Sequence, residues 1–273
     1  MSSFRLWVAI VWLLTSFLPL NSQVSKLKDL NVVMLGDSNT WLGGDDCTGP
    51  RGWNTWFARE VKPLSCHSYA RSGATWTNTP QTKRNTTENI AVLGDDNVVY
   101  NQICRLTEAV NAGTQPTPHI IIIMAGTNDA WFHDKRPQAF EEGCTFSAAH
   151  GTTVRADSTV TNPNEVLTLA GAVRYGCRML KQEFPDAEVV LVTPMQSVAV
   201  ADSLITVASD IIEAAGKEMG TAVLRLDRNG CVVSAIERQE KRFTYDGTHT
   251  NEAGAQCIAR LIAGIIMRTN SQK

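Results

Sequence analysis

The sequence carries almost no net charge of either sign. Lysine and arginine total 25 residues against 27 aspartate and glutamate residues, which leaves a formal net charge of -2. A nucleic-acid-binding protein usually shows a basic excess, and a solvating tail shows an acidic block; this chain has neither. We therefore expect no nucleic-acid partner. The 273 residues suffice for one large α/β domain, and no internal repeat or linker rich in proline, glycine or serine divides them.

Several short motifs that mark nucleotide, metal or redox sites are missing. Neither G-x-G-x-x-G nor G-x-x-x-x-G-K-[ST] occurs, which removes the common nucleotide-binding fingerprints. There is no C-x-x-C, and no histidine pair has the spacing of metal ligands, so we expect no metal and no cofactor. G-x-S-x-G, the nucleophile elbow of α/β-hydrolases, is also absent.

Cysteine, by contrast, is well represented, and all seven cysteines follow the N-terminal segment. An odd number leaves at least one of them without an intrachain partner. Cys177 and Cys257 fall on apolar helical stripes and are predicted to be buried small side chains. Cys47 and Cys144 lie in polar, loop-like segments and are the better candidates for disulfides, although the sequence assigns no pairing.

The N-terminal segment is apolar but short. Residues 6–20 are almost wholly apolar and follow Arg5, the only charged residue before Lys26. This run is shorter than the roughly 20 residues of a membrane-spanning helix, and the polar residues after it suit cleavage near Ser22. We expect residues 1–22 to be a signal peptide and the protein to be exported, periplasmic or secreted, without stable membrane insertion after cleavage. An uncleaved membrane anchor is the alternative.

Short runs that are apolar on both faces alternate with helical patterns through residues 23–273. This alternation predicts one α/β domain with a parallel sheet covered on both sides. Residues 131–163 show no clear periodicity and are predicted to form an insertion over one end of the sheet. The predicted strands are Asn31–Leu35, Cys66–Ala70, Ile120–Met124, Glu188–Thr193 and Val223–Leu226; the predicted helices are Tyr100–Ala112, Leu204–Met219, one from Val166 to Leu180 and one from Gly254 to Ile265.

Residues suited to acyl transfer follow three of these strands and precede the last helix. Ser38 follows the first strand, Gly73 the second and Asn128 the third, while His249 precedes the C-terminal helix, three residues after Asp246. Acyl transfer needs a nucleophile, a base, a group that orients the base, and donors for the oxyanion. A serine, a histidine, an aspartate, main-chain N–H groups and an asparagine amide supply such a set.

These blocks resemble those of the SGNH, or GDSL-type, hydrolases, which are named after serine, glycine, asparagine and histidine in four blocks. The resemblance implies a triad of Ser38, Asp246 and His249, and an oxyanion hole formed by Ser38, Gly73 and Asn128. It also implies a three-layer α/β/α sandwich with a parallel, flavodoxin-like five-stranded sheet. One departure is Asn39, which stands where the older consensus has leucine.

The neighbouring acidic and aromatic residues allow further predictions. Asp37 and Asp129 are interpreted as structural residues that bond main-chain groups of the loops. Trp41, Trp76 and Trp131 each follow a block residue by three positions, and we expect them at the rim of one crevice. There they would form a platform for sugar rings or apolar acyl groups, or else pack the loops.

The sequence thus predicts a serine-dependent carboxylic ester hydrolase that works through an acyl-enzyme. Its expected partner is a small-molecule or polysaccharide ester, and the interpretation we favour is an acetylesterase acting on O-acetylated carbohydrate. Two alternatives remain open: a lysophospholipase or thioesterase acting on lipid acyl chains, and a non-catalytic carbohydrate-binding protein on the same scaffold.

Overall fold

A computed structural model describes residues 27–87, 93–141 and 162–270. The predicted signal peptide and most of the predicted insertion lie outside these residues. The core is a five-stranded, all-parallel sheet in the order β2-β1-β3-β4-β5, which confirms the flavodoxin-like prediction. The strands are β1 Asn31–Gly36, β2 Ser65–Ser68, β3 Ile120–Met124, β4 Glu188–Val192 and β5 Ala222–Leu224.

The four predicted helices are present, with ends shifted by one to five residues. Five shorter helices escaped prediction because four to nine residues complete too few turns to display a periodicity. Helix α5 begins after Thr168, whose hydroxyl accepts a hydrogen bond from the Gly171 N–H. The helices are α1 Ser38–Trp41, α2 Trp53–Val61, α3 Val99–Asn111, α4 Thr127–Trp131, α5 Leu169–Glu183, α6 Asp202–Glu218, α7 Leu226–Asn229, α8 Ser234–Glu240 and α9 Glu252–Asn270.

Both faces of the sheet are buried, which explains the uninterrupted apolar runs. Successive side chains of a strand point to opposite faces. Val33 and Ile121 accordingly pack against α3, α5 and α6, whereas Val32 and Ile122 pack against α2 and α9. All four side chains are completely buried. The result is the predicted three-layer α/β/α sandwich.

The carboxyl ends of β2, β1 and β3 lie side by side, so the loops that follow them meet at one edge of the sheet. Gly36, the last residue of β1, pairs with Met124 and has a φ of +145°. A Cβ atom at Gly36 would lie 2.1 Å from the Met124 carbonyl oxygen. Only glycine permits this approach two residues before Ser38.

The cysteines depart in part from the sequence prediction. Cys231 and Cys257 form a disulfide, so the prediction that Cys257 is simply a buried apolar side chain was wrong. Cys257 lies beside the buried stripe of α9, on the flank that faces the segment before α8. Cys177 is completely buried, as expected, and Cys144 lies outside the described residues.

The described helices were also compared with what a bilayer requires. In the three described ranges, no helix has both the length and the apolar character to cross a membrane.

Candidate active site

Ser38 stands at the point where β1 turns into α1. The preceding residue, Asp37, caps α1 by accepting a hydrogen bond from the Asn39 N–H at 3.2 Å. Gln102 on α3 supports the turn from below, because its amide accepts from the Gly36 N–H and donates to the Gly36 carbonyl. Ser38 is 7% exposed. The hydroxyl is therefore held on a buried, hydrogen-bonded turn at the edge of the sheet.

The structure brings Ser38, His249 and Asp246 together. His249 Nε2 lies 2.9 Å from Ser38 Oγ, and His249 Nδ1 lies 2.7 Å from Asp246 Oδ2. When Nδ1 carries the proton and donates to Asp246, Nε2 is left to accept from the Ser38 hydroxyl. A nucleophile bonded to a base, which is in turn bonded to a carboxylate, is the arrangement that activates a serine.

Asp246 is fixed as an anion by its own loop. Its Oδ1 accepts hydrogen bonds from the N–H groups of Thr248 at 2.8 Å and His249 at 2.7 Å. Partial burial by itself would raise the pKa of Asp246, but the hydrogen bonds from His249 and Thr248 outweigh burial and hold the pKa below its usual value. The carboxylate therefore stays ionised well into the acid range.

Three candidate oxyanion donors lie on the loops after neighbouring strands. Gly73 follows β2 with a φ of +78°, Ser38 follows β1, and Asn128 lies in α4 after β3. Within the described residues, the N–H groups of Ser38 and Gly73 have no hydrogen-bond acceptor. Asn128 Nδ2 donates one proton to the Ala74 carbonyl at 2.9 Å, which orients the amide and leaves its second proton available.

Asp37 and Asp129 both bond main-chain N–H groups, as the sequence indicated. Asp129 accepts from the N–H groups of Trp76 and Thr77 and from the Thr77 hydroxyl, so it ties the loop after β2 to α4. Asp37 is completely buried, and burial raises its pKa to about 6, against the opposing effect of the Asn39 N–H.

The three tryptophans do not share one environment. Trp41 and Trp131 are 38% and 40% exposed, beside Ser38 and Asn128 respectively. Trp76 is 2% exposed and packs in the core against Ile103 and Gly176, so its predicted place at the rim was wrong. The loop after β2 turns inward at Trp76 because Asp129 holds the N–H groups of residues 76 and 77.

An open cleft of about 580 Å³ begins at Trp41, and Arg51 and His67 also line it. The Arg51 guanidinium lies 4.7 Å above the Tyr245 ring, and that ring stacks on the His249 imidazole with centroids 5.9 Å apart. The cleft therefore adjoins the Ser38–His249 pair on the side of Trp41. Among the described residues, no three histidine, cysteine, aspartate or glutamate side chains lie together as a metal site requires.

Sequence reasoning missed Asn39, Arg51 and Tyr245. Arg51 and Tyr245 lie in loops, and nothing in their spacing marks a contact with His249. Asn39 did carry a signal. An amide at a consensus leucine position that proves buried must find hydrogen-bond partners, and Asn39 finds them in the His249 loop.

The chain is similar to known proteins over most of its length. Residues 34–257 match the family of GDSL-like lipases and acylhydrolases, a span that includes all five block residues. No protein with a curated description matches the chain.

Several solved structures share the fold at low sequence identity. A possible lipase from Chitinophaga pinensis is 18% identical, with a TM-score of 0.55, and the alignment covers 89% of this chain and 99% of that one. A protein from Lactobacillus plantarum is 18% identical, with a TM-score of 0.56 and coverage of 88% and 97%. An acetyl xylan esterase is 16% identical, with a TM-score of 0.52 and coverage of 87% and 100%.

Proposed function

The chain belongs to the GDSL-like lipase and acylhydrolase family and is an ester hydrolase, and from this premise we propose that Ser38 is its nucleophile, His249 its base and Asp246 the residue that orients the base. The observation that carries the proposal is the unbroken contact from Ser38 Oγ to His249 Nε2 and from His249 Nδ1 to Asp246. All three residues lie within residues 34–257, the span that matches the family.

The proposed reaction passes through a covalent acyl-enzyme. Ser38 Oγ attacks the ester carbonyl carbon while His249 Nε2 takes the hydroxyl proton. Asp246 stabilises the imidazolium that forms, and His249 then delivers the proton to the leaving alcohol. A water molecule, deprotonated by the same imidazole, attacks the acyl-enzyme, and the carboxylic acid departs as Ser38 regains its proton.

The negative charge of each tetrahedral intermediate needs donors on the carbonyl oxygen. We assign this role to the N–H groups of Ser38 and Gly73 and to the second amide proton of Asn128. All three are free of other acceptors within the described residues. Because they are held by the sheet and by the Ala74 carbonyl, they need little reorganisation when the charge develops.

As substrate we propose an O-acetyl ester on carbohydrate. Two half-exposed tryptophans, Trp41 and Trp131, flank Ser38 and Asn128, and the adjoining cleft is lined by Asp45, Arg51 and other polar residues. Aromatic faces beside hydrogen-bonding side chains suit a sugar ring better than a long acyl chain. Export of the protein by residues 1–22, which we also propose, would expose it to such glycans.

The first experiment tests the nucleophile. Hydrolysis of p-nitrophenyl acetate by Ser38→Ala is expected to fall to background, and a fluorophosphonate probe is expected to label the wild type but not this variant. Ser209→Ala is the matched control, because this buried serine of α6 makes no side-chain hydrogen bond within the described residues. Wild-type turnover by Ser38→Ala would refute the assignment. An unlabelled, inactive wild type that binds glycans would favour the non-catalytic alternative.

The second experiment tests the substrate class. The wild type is expected to release acetate from acetylated glycans and to prefer p-nitrophenyl acetate over esters of eight or more carbons. Trp41→Ala is expected to lower kcat/KM on the glycan while leaving p-nitrophenyl acetate hydrolysis nearly unchanged. A strong preference for long acyl chains would instead favour the lysophospholipase or thioesterase alternative.

A further inference from the structure

Asn39 joins the serine turn to the histidine loop through both ends of its amide. Its Nδ2 donates to the Thr248 carbonyl at 3.3 Å, and its Oδ1 accepts from the Thr250 N–H at 3.1 Å. These are the main-chain groups on either side of His249. Asn39 is 1% exposed, so both hydrogen bonds are shielded from water. One buried side chain thus holds the two residues that flank the imidazole.

We propose that Asn39 is a positioning residue that sets the distance between Ser38 and His249, an inference that rests on the proposed function of these two residues. Asn39 directly follows Ser38 in α1, so any displacement of the histidine loop relative to Asn39 is a displacement relative to the nucleophile. Across the described contacts, Asn39 is the one side chain that binds main-chain groups on both sides of His249.

The arrangement depends on an amide rather than on side-chain bulk. Leucine matches the branching of asparagine but would leave the Thr248 carbonyl and the Thr250 N–H buried without partners. A buried polar group without a hydrogen-bond partner is destabilising, and the loop avoids that cost by moving toward water. Such a movement carries His249 away from Ser38, whereas Trp41 stays with the nucleophile on α1.

The test compares Asn39→Leu with wild type in steady-state hydrolysis of p-nitrophenyl acetate. We expect kcat to fall by about 10- to 100-fold, because a shift of roughly 1 Å in a catalytic group has a cost of that order. KM is expected to change by less than about twofold, since Asn39 does not touch the substrate. Asn101→Leu is the matched control. Asn101 is also completely buried and bonds the main chain of Lys83 and Asp96 rather than that of the histidine loop, so its loss is expected to lower stability but not kcat.

Asn39→Asp provides a second readout. The carboxylate keeps an acceptor for the Thr250 N–H but turns an oxygen toward the Thr248 carbonyl, and protonation restores a donor there. The ratio of its kcat to the wild-type kcat is therefore expected to rise as the pH falls. The ionisable side chains near position 39 are Asp37, Asp246 and His249, and the wild-type profile measured in parallel serves as the reference because it contains all three without the added carboxylate. A purely structural role would leave this ratio flat.

The outcomes separate this inference from the proposed function. If Ser38→Ala keeps its activity, the proposed function is wrong, and the positioning of His249 by Asn39 has no role in the reaction. If Ser38→Ala is inactive but folded Asn39→Leu retains wild-type kcat, or if Asn101→Leu loses as much kcat as Asn39→Leu, the inference about Asn39 is wrong. If Asn39→Leu does not fold, a flat pH ratio for Asn39→Asp refutes the inference.

An independent observation concerns Cys47 and Cys66. Their Sγ atoms lie 3.0 Å apart, closer than unbonded sulfur atoms at van der Waals contact. Cys47 belongs to the loop that lines the cleft beside Trp41, and Cys66 lies on β2. The two segments already adjoin, because the Ser68 N–H donates to the Asp45 carbonyl at 2.9 Å. The two thiols face each other without obstruction.

We infer that Cys47 and Cys66 form a second disulfide, which ties the cleft loop to the sheet. The thiols of Cys47 and Cys66 together give up two protons and two electrons as the S–S bond forms. A small-molecule disulfide accepts them and is reduced to two thiols. The crosslink fixes the residues between Trp41 and Arg51, and with them the wall of the cleft. Among the cysteines that the structure describes, Cys104 and Cys177, both buried, are expected to remain free thiols.

Peptide mapping of the full chain, purified without reductant and alkylated under denaturing conditions, tests this inference. The expected product is a linked peptide pair containing Cys47 and Cys66, lighter by two hydrogen atoms than the separate peptides and absent after reduction. Cys104 and Cys177 are expected to be alkylated in the same sample. Quantitative alkylation of Cys47 and Cys66 without reduction, even after exposure to oxidised glutathione, would overturn the inference.

Discussion

Replacing Asp37 by asparagine is expected to stabilise the protein at neutral pH. Asp37 is completely buried, and its carboxylate accepts from the Asn39 N–H and faces the Thr127 hydroxyl, contacts that offset only part of the cost of burial. Burial raises the pKa of Asp37 from 3.8 to about 6. An asparagine keeps the accepting oxygen that caps α1 and brings no charge into the interior.

The magnitude follows from the difference between the two pKa values. Since the folded protein binds more protons than the unfolded chain between about pH 4 and 6, its free energy of unfolding rises as the pH falls through this window. At about 1.4 kcal/mol per pH unit, the ionised carboxylate costs about 3 kcal/mol at pH 8 and about half of that at pH 5. Asp37→Asn is expected to gain these amounts relative to wild type.

The assay is urea unfolding followed by tryptophan fluorescence at pH 8 and pH 5. Asp129→Asn is the contrasting variant. Asp129 accepts three hydrogen bonds, two of them from main-chain N–H groups, and an amide cannot replace them all. The Asp129→Asn variant is therefore expected to have a lower free energy of unfolding than wild type at both pH values. Equal stability of Asp37→Asn and wild type at pH 8, or a difference that does not change between pH 5 and 8, would refute the reasoning.

Three further outcomes are expected. Asp246→Asn should lower kcat on p-nitrophenyl acetate by about 10³–10⁴, because the amide no longer selects the productive tautomer of His249; a loss below tenfold would contradict this role. Asn128→Ala should lower kcat by about 10²–10³ with little change in KM, since one oxyanion donor is removed; an effect on KM alone would count against it. Cys231→Ala should lower the free energy of unfolding by about 3–4 kcal/mol, because the disulfide with Cys257 closes a loop over a separation of 26 residues; an unchanged urea midpoint would exclude that contribution.

The proposed site and the fold support each other through the strand order. Gly73, Ser38 and Asn128 follow β2, β1 and β3, and these three strands are neighbours in the sheet. Residues far apart in the chain therefore meet without any long loop having to cross the site. The His249 loop lies just before α9, and Asn39 at the serine turn holds it through hydrogen bonds to Thr248 and Thr250.

The sequence by itself determined the sheet and the order of the chemical blocks. Strands β1, β3 and β4 are apolar on both faces, so their runs were visible without any tertiary information, and Ile120–Met124 was predicted to the residue. The long helices were visible because three or more turns display a periodicity. Short helices such as α1 and α4 were not, since their geometry comes from capping and packing rather than from a local pattern.

Only the tertiary structure decided which side chains face the site and which face the core. Trp41 and Trp76 have the same spacing from a block residue, yet one is half exposed and the other buried, because Asp129 turns the second loop inward. The pairing of Cys231 with Cys257 likewise depends on how α9 packs against the segment before α8. Burial and disulfide pairing depend on contacts between residues distant in the chain, and the local spacing of residues does not predict those contacts.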